Sequence, residues 1–209
     1  MIRNRIPDVV VKRLVTYLRV LQDLPSNEGY ISSAQLGDLA AVNGAQVRKD
    51  LALFGEFGKQ GVGYPVKALI QEITNILGTD RDISVVIFGV GELGTAVVRY
   101  LTARRTADPG YRFVVRELFD IDRRKIGSRL EGLTIRPLSE LQAATQDEQV
   151  RVGIIAVPSQ AAQDVVDAGI ANGIRGFLNF APVKVKVPTG VRVQQTDVTL
   201  ELQELAFYV

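Results

Sequence analysis

Apolar residues recur at helical spacing through the first eighty positions and gather into strand-like runs after them. Val11, Leu14, Val15, Leu18 and Leu21 return every three or four residues, which predicts an amphipathic helix over 8–23. Ser32 or Ser33 is placed to cap a short helix running to about Ala41, with Leu36, Leu39 and Ala40 turned inward. Val42-Asn43-Gly44 reads as a turn, and Val47 and Leu51 share one face of a third helix over about 45–53. Gly55, Gly58, Gly61 and Gly63 then break the helical rhythm, and their spacing up to Tyr64 suits a hairpin. Pro65 can start a further helix that points Val66, Leu69, Ile70, Ile73 and Leu77 inward, and Gly78-Thr79-Asp80 is the best linker.

Beyond it the texture changes. Ile83–Phe88 is an unbroken apolar run, as expected of a strand covered on both faces. A helix over about 92–105, strands over about 112–119 and 152–157, a helix from Pro158 to about Asn172, a strand over 174–178 and a short one over 191–193 follow. Strands alternating with helices imply an α/β domain with a parallel sheet. Leu200, Leu202, Leu205, Ala206, Phe207 and Tyr208 close the chain as an apolar-rich helix. Its apolar face is too large to leave exposed on a monomer, so it packs either on its own domain or on a partner. The expected division is 1–79, 80–198 and 199–209.

Composition narrows the chemistry. The 209 residues are 46% hydrophobic and carry a net charge of only +2, so a packed core is expected and any basic face must be local. There is no cysteine and no histidine, which removes thiolate zinc sites, cysteine nucleophiles and Ser-His-Asp catalysis. No metal site is expected. Lys12, Arg13 and Arg19 interrupt the first apolar run, so neither a signal peptide nor a membrane span is read there, and a soluble cytoplasmic protein is the expectation.

Gly89-Val90-Gly91-Glu92-Leu93-Gly94 has the G-x-G-x-x-G pattern, a weak signal alone. Here it follows a buried strand and opens a helix, the context in which such a loop holds a pyrophosphate against helix N–H groups. Asp120 ends the next strand, 26 positions past Gly94. A carboxylate there can accept both ribose hydroxyls and would repel a 2′-phosphate, which favours NAD over NADP. The neighbouring Arg123-Arg124-Lys125 run either accepts a phosphate or is simply solvated. Val157-Pro158 ends a third strand, where it either touches the rest of a dinucleotide or merely starts a helix. No Tyr has Lys four residues on, so this hydride-transfer dyad is absent as well. No catalytic residue is assigned, and the dinucleotide reads as a ligand to be sensed.

The Asn43-Gly44 turn and its flanking helices have helix-turn-helix spacing. The second helix would offer Gln46, Arg48, Lys49 and Asn43 to a major groove, where Gln pairs with adenine and Arg or Lys with guanine or phosphate. A second reading makes Arg48, Lys49 and Asp50 an ordinary solvated face. Gly58–Tyr64 could form a wing with a slim tip, Lys59 meeting phosphate and Tyr64 either near the DNA backbone or packed at the hairpin base. Basic residues cluster at 3, 5, 12, 13, 48, 49 and 59.

The run from Gln46 through Phe54-Gly55-Glu56-Phe57-Gly58-Lys59-Gln60-Gly61-Val62-Gly63-Tyr64 strongly resembles the Rex family of redox-sensing transcriptional repressors. So do the 89–94 loop, Phe119-Asp120-Ile121-Asp122, and Phe177-Leu178-Asn179-Phe180-Ala181-Pro182. The resemblance implies a homodimer, each subunit with an N-terminal winged helix-turn-helix domain, a Rossmann domain and a C-terminal helix swapped onto its partner. It implies binding to palindromic operator DNA when NADH is scarce, release when NADH accumulates, and NAD⁺ as competitor. Positions matching DNA contacts are Arg48, Lys49, Lys59, Gly61 and Tyr64; those matching the dinucleotide site are Gly89 to Gly94 and Asp120, with Tyr100 near the nicotinamide. Arg19 and Asp197 match a charged pair linking ligand state to the DNA-binding domains. Val198 departs from relatives that carry phenylalanine there. Two other readings are an NAD-dependent oxidoreductase with a helical cap and a CoA- or nucleotide-binding module.

Overall fold

The computed structural model describes residues 6–146 and 150–209, which leaves Arg3 and Arg5 outside the described residues. The chain divides into two units, Met1–Arg81 and Asp82–Val209.

The first unit contains α1 (Asp8–Gln22), β1 (Tyr30–Ile31), α2 (Ser33–Leu39), α3 (Gly44–Ala52), β2 (Tyr64–Pro65) and α4 (Val66–Leu77). Leu14, Tyr17, Leu21, Leu36, Val47, Leu51, Leu69 and Ile73 form its core. The buried stripe of α1 is Val10, Leu14, Tyr17 and Leu21, whereas Val11 and Val15 are exposed. The expected stripe is therefore turned by about one position. Val9-Val10-Val11 offers three equivalent apolar residues, and periodicity alone has no means of choosing among them. Leu39 is exposed as well, because α2 ends there and Ala41 turns the chain with a φ of 55°.

Local hydrogen bonds explain the sharp helix starts. Ser32 Oγ accepts the Gln35 N–H at 3.1 Å while Gln35 Oε1 accepts the Ser32 N–H at 2.9 Å, a reciprocal cap on α2. Asn43 Oδ1 accepts the Gln46 N–H at 2.8 Å and caps α3. Asn43 thus belongs to the turn geometry. The glycine-rich segment closes as a tight turn through one bridge, Lys59 and Gly63 exchanging two bonds of 3.0 Å. The returning strand β2 pairs antiparallel with β1, Ile31 opposite Tyr64. A two-residue strand such as β1 leaves no alternation to detect.

The second unit carries a seven-stranded sheet. Its strands are β3 (Ile83–Phe88), β4 (Phe113–Phe119), β5 (Arg129–Leu130), β6 (Leu133–Arg136), β7 (Val152–Ile155), β8 (Gly176–Asn179) and β9 (Arg192–Gln195), ordered β5-β6-β4-β3-β7-β8-β9. All pairings are parallel except that of β5 with β6. The helices are α5 (Glu92–Ala107), the short α6 (Leu141–Gln146), α7 (Ser159–Ala171) and α8 (Val198–Ala206). Alternate residues of β3 enter separate cores, Val86 and Phe88 with Val166 of α7, Val85 and Ile87 with Val98 of α5. Burial on both faces is why β3 reads as a continuous apolar run. Chain order reverses between β3 and β7, and crevices in such sheets open at the carboxyl ends of the strands there. None of α8 is buried, and Leu200, Leu202, Leu205 and Phe207 are all exposed.

Candidate functional site

The glycine loop leaves β3 and opens α5 at the reversal point. Gly89 has a φ of 90°, and a Cβ there would stand 2.5 Å from the Ala156 carbonyl oxygen. A Cβ on Gly94 would stand 1.9 Å from the Gly89 oxygen, so helix and strand approach closely only with glycine. A Cβ on Gly91 would meet nothing within 4 Å. Gly91 is also the N-cap of α5 and provides no side-chain cap, so phosphate oxygens can approach bare helix N–H groups. These three positions fit a pyrophosphate.

Asp120 lies beside the loop with its side chain only 8% exposed. One carboxylate oxygen accepts the Asp122 N–H at 2.9 Å; the other accepts the Val90 N–H at 2.8 Å and the Lys125 ammonium at 3.3 Å. Burial pushes the Asp120 carboxyl up, but the two amide bonds and Lys125 outweigh it and hold the group below the ordinary carboxylate value. Asp120 is therefore ionised at neutral pH, with the Lys125 ammonium beside it. Arg124 is paired with Asp122 at 2.8 Å. Arg123 and Arg124 are exposed, as the solvated reading of the basic run has it, and Lys125 alone of the run turns to Asp120 at the cleft.

A cleft of about 290 Å³ opens here, bringing together Gly89, Gly91, Asp120, Val157 and Pro158. Phe88, Phe119, Ile121, Leu138 and Ala161 make its walls apolar, as suits an adenosine-sized group. Val90, Glu92, Thr95 and Arg99 line an adjoining open groove, and Lys125 borders both. Leu93 and Tyr100 line neither and are exposed on α5. The walls contributed by Leu138 and Ala161 carry no motif, and only the fold brings them here.

In the first unit, Arg48, Lys59, Gly61 and Tyr64 line one open groove of about 830 Å³ between α3 and the glycine turn. Arg48 donates to Ser33 Oγ at 2.7 Å, which spans the two helices of the helix-turn-helix. Lys49 is exposed on α3 outside this groove. Tyr64 is half-buried against the core at the base of the turn, where its ring would lie 2.8 Å from a Cβ on Gly58. Burial pushes its phenol pKa up despite the nearby Arg48.

Gln46 is occupied in a way the spacing did not disclose. Its Nε2 donates to Asp50 at 2.7 Å. Asp50 is 1% exposed and also accepts Arg13 at 2.7 Å and the Tyr17 hydroxyl at 2.8 Å. The reading of Asp50 as part of a solvated face is overturned, because Asp50 points inward with Val47 and Leu51. A signal existed: Asp50 sits three residues after Val47, on the same helical face. Arg19 is exposed on α1, and Asp197 accepts the Thr199 N–H at 2.9 Å as the N-cap of α8. Among the described residues no cluster of metal-ligating side chains occurs, and no helix is long and apolar enough to cross a membrane.

Comparison with known proteins agrees with both halves of this architecture. A family model described as "CoA binding domain" matches residues 80–183, and one described as "Putative DNA-binding protein N-terminus" matches residues 5–52. The chain is 42% identical to the redox-sensing transcriptional repressor Rex of Roseiflexus sp. (strain RS-1), covering 97% of this chain and 90% of that protein. It is 41% identical to the protein of the same name from Syntrophomonas wolfei, covering 98% and 96%. The crystal structure of RSP with β-NAD⁺ and operator DNA is similar at a TM-score of 0.86 and 30% identity, over 97% of this chain and 92% of that one. RSP with β-NADH gives 0.83 and 28%, over 97% and 93%. With a helix-turn-helix and wing in one unit, a Rossmann glycine loop in the other, and full-length relatives above 40% identity, the chain belongs to the Rex family of redox-sensing transcriptional repressors.

Proposed function

We infer that this protein is a redox-sensing transcriptional repressor, binding palindromic operator DNA and releasing it when NADH binds. The observation that carries the reading is one chain holding both a cleft with a pyrophosphate-ready glycine loop beside an ionised Asp120 and a helix-turn-helix with its wing. NAD⁺ competes for the same cleft. When bound, reduced nicotinamide supplies a neutral ring that is cheaper to bury than its cationic oxidised form. Glycines 89, 91 and 94 admit the pyrophosphate, Asp120 takes ribose hydroxyls, and Val157 and Pro158 wall the cleft. The absence of histidine and cysteine from the sequence supports sensing over turnover. A protein acting on operator DNA works in the cytoplasm.

Arg48, Lys49, Lys59, Gly61 and Tyr64 are the proposed DNA contacts, with Gln46 beside them. The exposed apolar side chains of α8 support a homodimer in which each subunit lends this helix to the other. Arg19 and Asp197 are the proposed charged pair through which ligand state reaches the DNA-binding unit, and Tyr100 is the proposed nicotinamide neighbour. A ligand shifts DNA affinity only by its differential affinity for two dimer arrangements. About 2–3 kcal/mol of such coupling loosens DNA roughly 30- to 150-fold. The test is a palindromic-duplex binding assay run with NADH, NAD⁺ and NADPH in parallel. NADH alone should release the duplex; unchanged affinity with NADH defeats the switch. A monomer by sedimentation defeats the swap.

A further inference from the structure

Asp50 is a buried carboxylate on the recognition helix, and its hydrogen-bonding partners settle how a neighbouring side chain faces outward. An ionised carboxylate accepts hydrogen bonds and donates none. Burial pushes the Asp50 carboxyl up, yet the bonds from Arg13, Gln46 and Tyr17 outweigh this and keep it below the ordinary carboxylate value, so it is ionised at neutral pH. Of the two ends of the Gln46 carboxamide, only the amino group can therefore face Asp50, and the structure has Nε2 donating to Oδ1. The amide oxygen must point the other way. With one N–H committed, the carboxamide keeps one acceptor and one donor.

That pair matches one base edge. Adenine presents a donor at N6 beside an acceptor at N7 in the major groove, and guanine presents only acceptors there. Resting on the reading of the first unit as the DNA-binding unit, we propose that Asp50 is a positioning residue, which fixes the Gln46 carboxamide to read an adenine and holds α3 to α1 through Arg13 and Tyr17. Gln46 is the specificity-determining contact; Asp50 touches no DNA.

The test begins with a duplex selected from randomised DNA by the full-length wild-type protein, followed by single-base-pair substitution across the half-site. One A·T position should cost wild type about tenfold when replaced. Gln46→Ala should flatten that position to under about twofold and leave the other positions unchanged. In Asp50→Asn a carboxamide replaces the carboxylate and can meet either end of Gln46, so the same penalty should shrink to about two- to threefold. Arg13→Met with Asp50→Leu fills the buried site with apolar groups and keeps the fold if the single variant unfolds. The double variant should lose the same single penalty, while NADH affinity stays that of wild type. Neutral loss of helix packing would weaken all positions equally, so loss confined to one A·T pair marks positioning. If Gln46→Ala keeps every penalty, or if removing the Asp50 carboxylate leaves the A·T penalty at tenfold, the proposal is wrong. If wild type selects no duplex, the DNA-binding reading falls first and takes the positioning role with it.

Discussion

Two acidic residues, one in each unit, meet the same physical problem and solve it differently. Asp50 and Asp120 are both nearly buried, and in both burial alone would raise the carboxyl pKa. Asp50 is held ionised by side chains from two helices, Arg13 and Tyr17 from α1 and Gln46 from its own helix. Asp120 is held mainly by backbone N–H groups of the glycine loop and its own turn, with Lys125 at the longer distance of 3.3 Å. The first arrangement fastens helices and leaves no room for a ligand. The second organises a loop and keeps the carboxylate on the wall of a cleft. Burial of a charge thus marks a packing anchor in one region and a cleft-lining group, the proposed ribose contact, in the other, and the partners' origin tells them apart.

The largest effect should come from breaking the anchor. Arg13→Ala leaves a buried carboxylate without its cation, which costs about 3 kcal/mol because removing one partner of a buried pair costs 3–5 and Arg13 keeps some solvent contact. Denaturant melts of the intact protein should show the first unit lose stability while NADH binding persists. Next, Asp120→Ala should weaken NADH binding by about 1.5–3 kcal/mol, roughly 10- to 150-fold by calorimetry, since hydrogen bonds to a charged group are lost. DNA binding should survive and become insensitive to NADH. If Asp120→Ala instead abolishes DNA binding, the contrast between anchor and ligand group collapses.

A smaller change is expected at the helix cap. Ser32→Ala removes half of the reciprocal cap on α2 and should cost about 1 kcal/mol in a thermal melt. Least visible near neutrality is the pH response. Both carboxyls are depressed in the folded state, so their stabilisation is complete above the unfolded value of about 3.9 and is lost as pH falls through the folded values. Stability should therefore be flat in these groups from pH 7 to 5 and decline below about 4. Asp50→Asn should flatten the acid limb of the first unit alone, as followed by hydrogen exchange.

Much of the site was legible because its signals are local. A cap needs only a side chain and an amide three residues apart, so Ser32 announces the start of α2, whereas Asn43, read from the sequence as a turn residue and groove contact, caps α3. The glycine loop is legible for the same reason: Gly89 and Gly94 serve a turn and a close approach within six residues. The face of α1, the edge pair β5–β6 and the short β1 were not legible. Each depends on which distant element covers it, and Val9-Val10-Val11 or a two-residue strand carries no preference of its own.

By itself, then, the sequence determined a helical region followed by an α/β sheet, a helix-turn-helix with a glycine turn, and a loop shaped for pyrophosphate, since periodicity and turn chemistry act over a few residues. Only the tertiary structure decided that Arg13 and Tyr17 of α1 meet Asp50, that Gln46 is oriented through it, and that Lys125 joins Asp120 at the cleft. Those bonds join residues 4 to 37 positions apart, the two from α1 reaching across 33 and 37, and their energy exists only once folding has removed the water between them.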